Sequence, residues 1–228
     1  MQGVLLIDKP SGWTSFDVVN FVRRQVAIAE NKKPKNTKVG HTGTLDPLAT
    51  GLLVLLVGKE YTRRATELSK LDKMYEVTMK LGEVSTTGDE EGEKNHVADR
   101  QPSQSEIEEV LERFTGELLQ KPPIYSAMKV NGQRAYKLAR EGKAVELEAR
   151  PVRIYANRLT AYDYPYIRFT SEVGSGTYIR SLVEDMGSVL ETGAYMAGLR
   201  RTKVGAYQIK NALDVHDQNL LQHLISLH

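Results

Sequence analysis

The sequence predicts an α+β fold. Short apolar or alternating runs are spread over all 228 residues, capped helical patterns stand between some of them, and strand and helix do not alternate strictly as in a parallel α/β protein. Residues 4–7 form a short apolar run and read as a buried strand. Thr14 or Ser15 is placed to cap a helix whose apolar side is Val18, Val19, Phe21, Val22 and Val26. Residues 32–37 are a polar loop. The apolar run 52–57 is too short for a helix and suits a buried strand, and 62–70 reads as a helix. Tyr75, Val77, Met79 and Leu81 alternate, the mark of a half-buried strand. Residues 82–96, rich in glycine and acids, are expected to be an exposed loop. Ser103-x-x-Glu106 is a capping box opening a helix to about Phe114. Asn131-Gly132 marks a turn, and 136–141 a short helix ended by Gly142. Strands are expected at 152–162, 166–172 and 193–207. A helix at 177–190 carries Ile179, Leu182, Val183, Met186 and Leu190, and the tail 217–227 is expected to be helical.

Composition narrows the class. Hydrophobic content of 40% and charged content of 26% are those of a soluble globular chain. No run approaches the roughly 18 apolar residues of a membrane span, and the N-terminus shows no secretory pattern. The absence of cysteine excludes disulfides, thiolate metal sites and a cysteine nucleophile. The net charge of +2 hides an asymmetry: residues 83–117 carry eleven acidic and three basic side chains, and residues 121–158 nine basic and three acidic. The loop before Gly40 adds Lys32, Lys33, Lys35 and Lys38. Clustered cations at modest total charge fit a polyanion on one face, or a solvated surface of mixed charge.

The most informative stretch is Gly40-His41-Thr42-Gly43-Thr44-Leu45-Asp46-Pro47-Leu48-Ala49-Thr50-Gly51. Turn formers crowd it, yet it runs straight into the strand at 52–57. Pro47 fixes its own φ and pushes Asp46 out of helical geometry. One carboxylate thus stands on a stiff loop tied to a buried strand, which is how scaffolds present reactive groups. A well-made turn, with Asp46 bonding nearby amides, fits the local pattern as well.

The stretch resembles the catalytic motif of the TruB family of transfer-RNA pseudouridine synthases, with every fixed position filled. Gly3-Val4-Leu5-Leu6-Ile7-Asp8-Lys9-Pro10-Ser11-Gly12, Asp72-Lys73-Met74-Tyr75-Glu76, Lys121-Pro122-Pro123 with Tyr125-Ser126-Ala127, Gly176-Thr177-Tyr178-Ile179-Arg180 and Leu199-Arg200-Arg201-Thr202 match the same family in order. The resemblance implies a pseudouridine synthase fold, with a largely antiparallel mixed central sheet, flanking helices and a basic RNA-binding insertion at about 121–152. It implies isomerisation of uridine 55 in the transfer-RNA T loop, without metal or organic cofactor; the absence of cysteine fits a cytoplasmic protein, and the lack of an apparent exposed apolar stripe a monomer. It assigns Asp46 as nucleophile or base, Arg180 as its ion-pair partner and Tyr75 as the aromatic that stacks on the base. His41 and Tyr178 are expected near the substrate, Lys9 as a support of the catalytic loop and Leu199 in the base pocket. Lys129, Arg134, Lys137, Arg140 and Lys143 are expected on phosphates, with Tyr125 and Tyr136 stacking or packing. Bacterial members usually continue into a small PUA-type domain, and this chain stops at His228, so 1–228 is expected to be one catalytic domain without it. An RNA-binding chaperone is the alternative, and a nucleoside glycosidase, which would not need the basic insertion, is a third reading. No H-E-x-x-H pattern or G-x-S-x-G elbow supports a metal or serine mechanism.

Overall fold

A computed structural model describes residues 1–126, 128–130, 132–135, 138, 141 and 147–226. The chain divides into two compact units, Met1–Tyr75 with Leu199–His228, and Glu76–Gly198.

In the first unit, β1 (Gly3–Lys9) pairs antiparallel with β3 (Thr50–Val57), from Gly3 opposite Val57 to Lys9 opposite Gly51. β2 (Val39–His41) lies antiparallel to β3 and β13 (Leu213–Asp214) parallel to β1. The C-terminal half of β12 (Ala194–Val204) runs parallel to β3 through Arg200 opposite Thr50 and Arg201 opposite Gly51. Both faces are covered. Leu5, Ile7, Leu53, Leu55 and Val57 pack against Val18, Val19, Val22 and Val26 of α1 (Ser15–Ala29). Val4, Leu6, Leu52, Val54 and Leu56 pack against Leu68 and Val204. Double burial is why residues 52–57 are continuously apolar rather than alternating, and each such side chain contributes about 1.5–3 kcal/mol. Thr14 starts α1 with a full capping box: its hydroxyl accepts from Asp17 N at 3.1 Å, and the Asp17 carboxylate accepts from Thr14 N at 2.9 Å.

In the second unit the strand order is β12-β4-β11-β10-β7, with β4 at Lys73–Leu81, β7 at Gly116–Gln120, β10 at Arg150–Asp163 and β11 at Tyr166–Val173. On β4, Tyr75, Val77, Met79 and Leu81 are buried, as their spacing predicts. α4 (Gln104–Arg113) carries the expected Ser103–Glu106 capping box. Asn157 of β10 donates to Leu111 O and Phe114 O at its far end. α5 (Ile179–Val189) follows β11.

Several local expectations are corrected. The helix expected at 62–70 is two short ones, α2 (Lys59–Arg63) and α3 (Ala65–Leu68). The loop expected at 82–96 contains a hairpin of β5 (Glu83–Ser85) and β6 (Lys94–His96), and buries Asp89. The tail forms one 3-10 turn, Leu220–His223, and Ile225 bridges back to Val4, because its apolar residues finish the core beneath α1 rather than one face of a helix. In the basic segment, β8 (Lys129–Val130) and β9 (Gln133–Arg134) form a hairpin flanking the expected turn. The helix expected at 136–141 and the side chains of Lys129, Arg134, Tyr136, Lys137, Arg140 and Lys143 lie outside what is described.

Candidate active site

The first unit clamps the Asp46 loop from three directions. Ser15, buried at the start of α1, accepts from Leu45 N at 2.8 Å and donates to Leu45 O at 3.0 Å. Lys9, fully buried at the end of β1, donates to Pro47 O at 3.2 Å, Trp13 O at 2.6 Å and Pro10 O at 2.9 Å. Gly12 N adds a bond to Pro47 O at 2.9 Å. From β12, Arg201, also buried, donates to Gly43 O at 3.0 Å, Thr44 O at 3.3 Å and Leu52 O at 2.8 Å. The guanidinium therefore braces the stretch before Asp46, and the lysine the stretch after it. Asp46 itself is half-buried.

This packing demands glycine at position 51. Its φ is +98°, and a Cβ there would lie 2.3 Å from Arg201 O. The two paired strands lie so close at this point that no side chain fits between them.

The electrostatics of the loop are positive. Burial pulls the Lys9 pKa down to about 8, with Asp46 opposing the shift and Arg201 adding to it. Lys73 on β4 is likewise pulled down to about 8 by burial and then by Arg201. It donates to Ser69 O at 2.9 Å and to Leu71 O. Burial and Arg201 also lower His41, so its imidazole is neutral near pH 7. Its Nδ1 is buried without a hydrogen-bond partner among the described residues. Tyr75, 7% exposed, and half-buried Leu199 belong to the same unit.

The second unit holds Arg180 and Tyr178. Arg180, in the first turn of α5, is buried. It donates to Thr87 O at 3.2 Å and Tyr125 O at 2.9 Å and lies 3.4 Å from the Asp89 carboxylate. Asp89 is 3% exposed and accepts from Glu91 N at 3.1 Å and from the Thr87 hydroxyl. Gln120 grips Tyr178 at both its N (2.8 Å) and its O (3.0 Å), and Ser181 donates to Lys121 O at 2.9 Å. The entry to the basic segment is thus fastened to the start of α5. Burial raises the Glu184 carboxyl, assisted by Asp185 and opposed by Arg180.

Sequence reading missed Ser15, Arg201, Lys73 and Asp89 as parts of this architecture. Arg201 alternates with Arg200 on β12. Arg200 reaches the half-exposed Asp8 carboxylate at 2.6 and 3.0 Å, so Arg201 points to the opposite, buried face. No cluster able to hold a metal ion occurs among the described residues.

Residues 31–179 match the TruB family pseudouridylate synthase N-terminal domain, and residues 180–226 the tRNA pseudouridylate synthase B C-terminal domain. The chain belongs to the TruB family. It is 43% identical over 230 residues to tRNA pseudouridine synthase B of Clostridium novyi, covering all of this chain and 76% of that protein. To the same-named protein of Burkholderia lata it is 45% identical over 216 residues, covering 93% of this chain and 63% of that one. The fold is also similar to a chain of the crystal structure of a Cbf5-Nop10-Gar1 complex, with a TM-score of 0.70 at 28% identity, over 94% of this chain and 53% of the other. A chain from the structure of an H/ACA RNP bound to a substrate RNA containing 2'-deoxyuridine matches with a TM-score of 0.67 at 26% identity, over 94% and 51%. Among the described residues no helix is long and apolar enough to cross a membrane.

Proposed function

We infer that this protein is a pseudouridine synthase that isomerises uridine 55 in the T loop of transfer RNA. The observation carrying this reading is the Asp46 loop. It fills every fixed position of the family motif and is held rigid by Lys9, Ser15 and Arg201 among buried cations. The relatives' name, tRNA pseudouridine synthase B, supplies the substrate class.

The chemistry breaks the bond between uracil and C1′, turns the base, and rejoins it through C5. Attack on the ribose, attack on the base and a glycal route all require an ionised carboxylate beside the sugar and base. Asp46 is that group. Arg180 is its counter-ion in the reacting complex, where a guanidinium stays charged despite desolvation; the Asp89 carboxylate and two carbonyls orient it. Tyr75 stacks on the uracil and Leu199 lines the base pocket. Extruding the uridine costs a few kcal/mol. His41, with Nδ1 unpartnered among the described residues, supplies a hydrogen bond to the reshaped loop. Tyr178 positions the segment 121–152, whose Lys129 and Arg134 meet phosphates. The enzyme acts as a cytoplasmic monomer and uses no cofactor.

Incubation with an unmodified transfer-RNA transcript, followed by mapping of pseudouridine, tests the reading. Wild type converts position 55. Asp46→Asn binds the RNA and converts none, and Arg180→Ala loses most turnover. Full conversion by Asp46→Asn, or no conversion by wild type, overturns it.

A further inference from the structure

The segment between α1 and β2 concentrates charge that the reaction does not use. Residues 31–38 read Asn-Lys-Lys-Pro-Lys-Asn-Thr-Lys, and a 3-10 turn at Pro34–Asn36 sets them against α1. Between them lies a depression of about 370 Å³ whose wall includes Asn20, Arg23, Arg24, Lys35, Thr37 and Lys38. The lining has four cations and no acid. Arg23 is fixed: it donates to Asn20 Oδ1 at 2.7 Å and Val39 O at 3.2 Å, and its guanidinium lies 5.8 Å from the Phe16 ring centroid. Arg24, Lys35 and Lys38 are exposed. None of the four has a carboxylate partner among the described residues. Glu30, the acid at the end of α1, is already engaged by the Met1 amine and Lys32.

Four like charges around one hollow repel each other unless an anion enters it. The hollow holds more than ten times the roughly 30 Å³ share of one water, room for a phosphodiester with its flanking sugars. No aromatic side chain is in its lining to stack on a base, so it suits a backbone contact that positions rather than reads sequence. β2 leads from Val39 in this wall to His41 at the mouth of the Asp46 loop, about 7 Å away at the strand rise.

We propose that this depression binds the phosphodiester backbone of the substrate RNA, giving the first unit one or two phosphate contacts separate from the basic segment 121–152. The proposal rests on the RNA-modifying function inferred above. It is tested with Arg24→Gln/Lys35→Gln/Lys38→Gln, leaving Arg23 to hold Val39. Affinity is measured in an Asp46→Asn background by fluorescence anisotropy, for a full transfer-RNA transcript and for an isolated T-arm hairpin, between about 50 and about 200 mM salt. Each lost phosphate contact lowers the slope of log Kd against log salt by about 0.7–0.9, roughly threefold in Kd across that range. The expected result is a slope lower by about one to two and, with Asp46 restored, a rise in KM rather than a fall in kcat. Loss on both RNAs places the phosphate in the T arm, and loss on the full transcript alone places it outside; either supports the proposal. Unchanged Kd and slope on both overturn it. So does titration with inorganic phosphate that saturates wild type but not the variant while RNA affinity stays equal, since the hollow is then a small-anion site. A wild-type protein that makes no pseudouridine overturns the proposed function instead, and the binding comparison still decides this one.

Discussion

The substitution Gly51→Ala separates two costs that usually come together. At Gly51 an added Cβ meets Arg201 O at 2.3 Å, Arg201 N at 2.7 Å and the Arg201 carbonyl carbon at 3.0 Å, with φ at +98°. Gly12, on the same unit, has φ at +81° and nothing within 4 Å of its would-be Cβ. The left-handed backbone alone costs a non-glycine residue about 1–2 kcal/mol, so Gly12→Ala loses about that much. Gly51→Ala carries the same strain and also an overlap with backbone, which cannot rotate away. Overpacking adds about 1–3 kcal/mol, for a total of about 2–5 kcal/mol. Relief requires β3 and β12 to part, which also draws the Arg201 guanidinium off Gly43 O and Thr44 O. Urea unfolding of the two variants measures the difference, and activity at a temperature where both are folded measures the displacement of the loop. If Gly51→Ala is no less stable than Gly12→Ala, the close approach of the paired strands does not constrain position 51.

Other perturbations reach the same loop. Ser15→Ala leaves both polar groups of Leu45 unsatisfied in a buried setting and lowers stability by about 2–3 kcal/mol; Ser15→Thr, which keeps the hydroxyl, restores most of it in the same unfolding assay. Lys73 has a folded pKa of about 8 against 10.5 in the unfolded chain. The unfolded chain therefore holds more protons between these values, and stability from this group rises with pH through that window. From about pH 7.5 to about pH 9.5, wild type gains about 2 kcal/mol relative to Lys73→Met, and an unchanged difference between the two denaturation curves contradicts the burial argument. Asp89→Asn weakens the hold on Arg180 and lowers kcat while leaving KM for RNA within about threefold; a pure loss of RNA affinity would assign Asp89 elsewhere. For Tyr75, Tyr75→Phe retains base stacking and Tyr75→Leu does not, so wild-type turnover in both rules out a role in the reaction.

Much of this architecture is legible from local pattern. The alternation Tyr75 to Leu81, the apolar run 52–57, a cap at Thr14 or Ser15 and the Ser103–Glu106 capping box follow from spacing alone. The Asp46 loop stands out because its turn residues abut a buried strand. What holds that loop does not stand out. Ser15 looks like half of a cap, and Arg201 like one of two equivalent arginines, because their carbonyl acceptors lie far away in sequence. Asp89 sits in a run of acids that composition marks as solvated. Its burial depends on Arg180, ninety-one positions later, and no local pattern carries that information. The tail misleads for a related reason: its apolar spacing fits a helix, yet Ile225 is recruited to Val4 at the opposite end of the chain.

That last pairing bears on how the molecule is made. Glu76–Gly198 is contiguous and has its strands in hand once residue 198 leaves the ribosome. Met1–Tyr75 can pair β1 and β2 with β3 early, but the remaining neighbours, Leu213–Asp214 beside β1 and the C-terminal half of β12 beside β3, arrive with residues 200–214. Contacts of such long sequence separation form slowly, so the leading segment, with its uninterrupted Leu-Leu-Val-Leu-Leu-Val, spends most of translation without these two late neighbours. The carboxylate loop therefore acquires its final shape among the latest events of biosynthesis, and a nascent chain halted before residue 199 carries the motif without the arginine that fixes it.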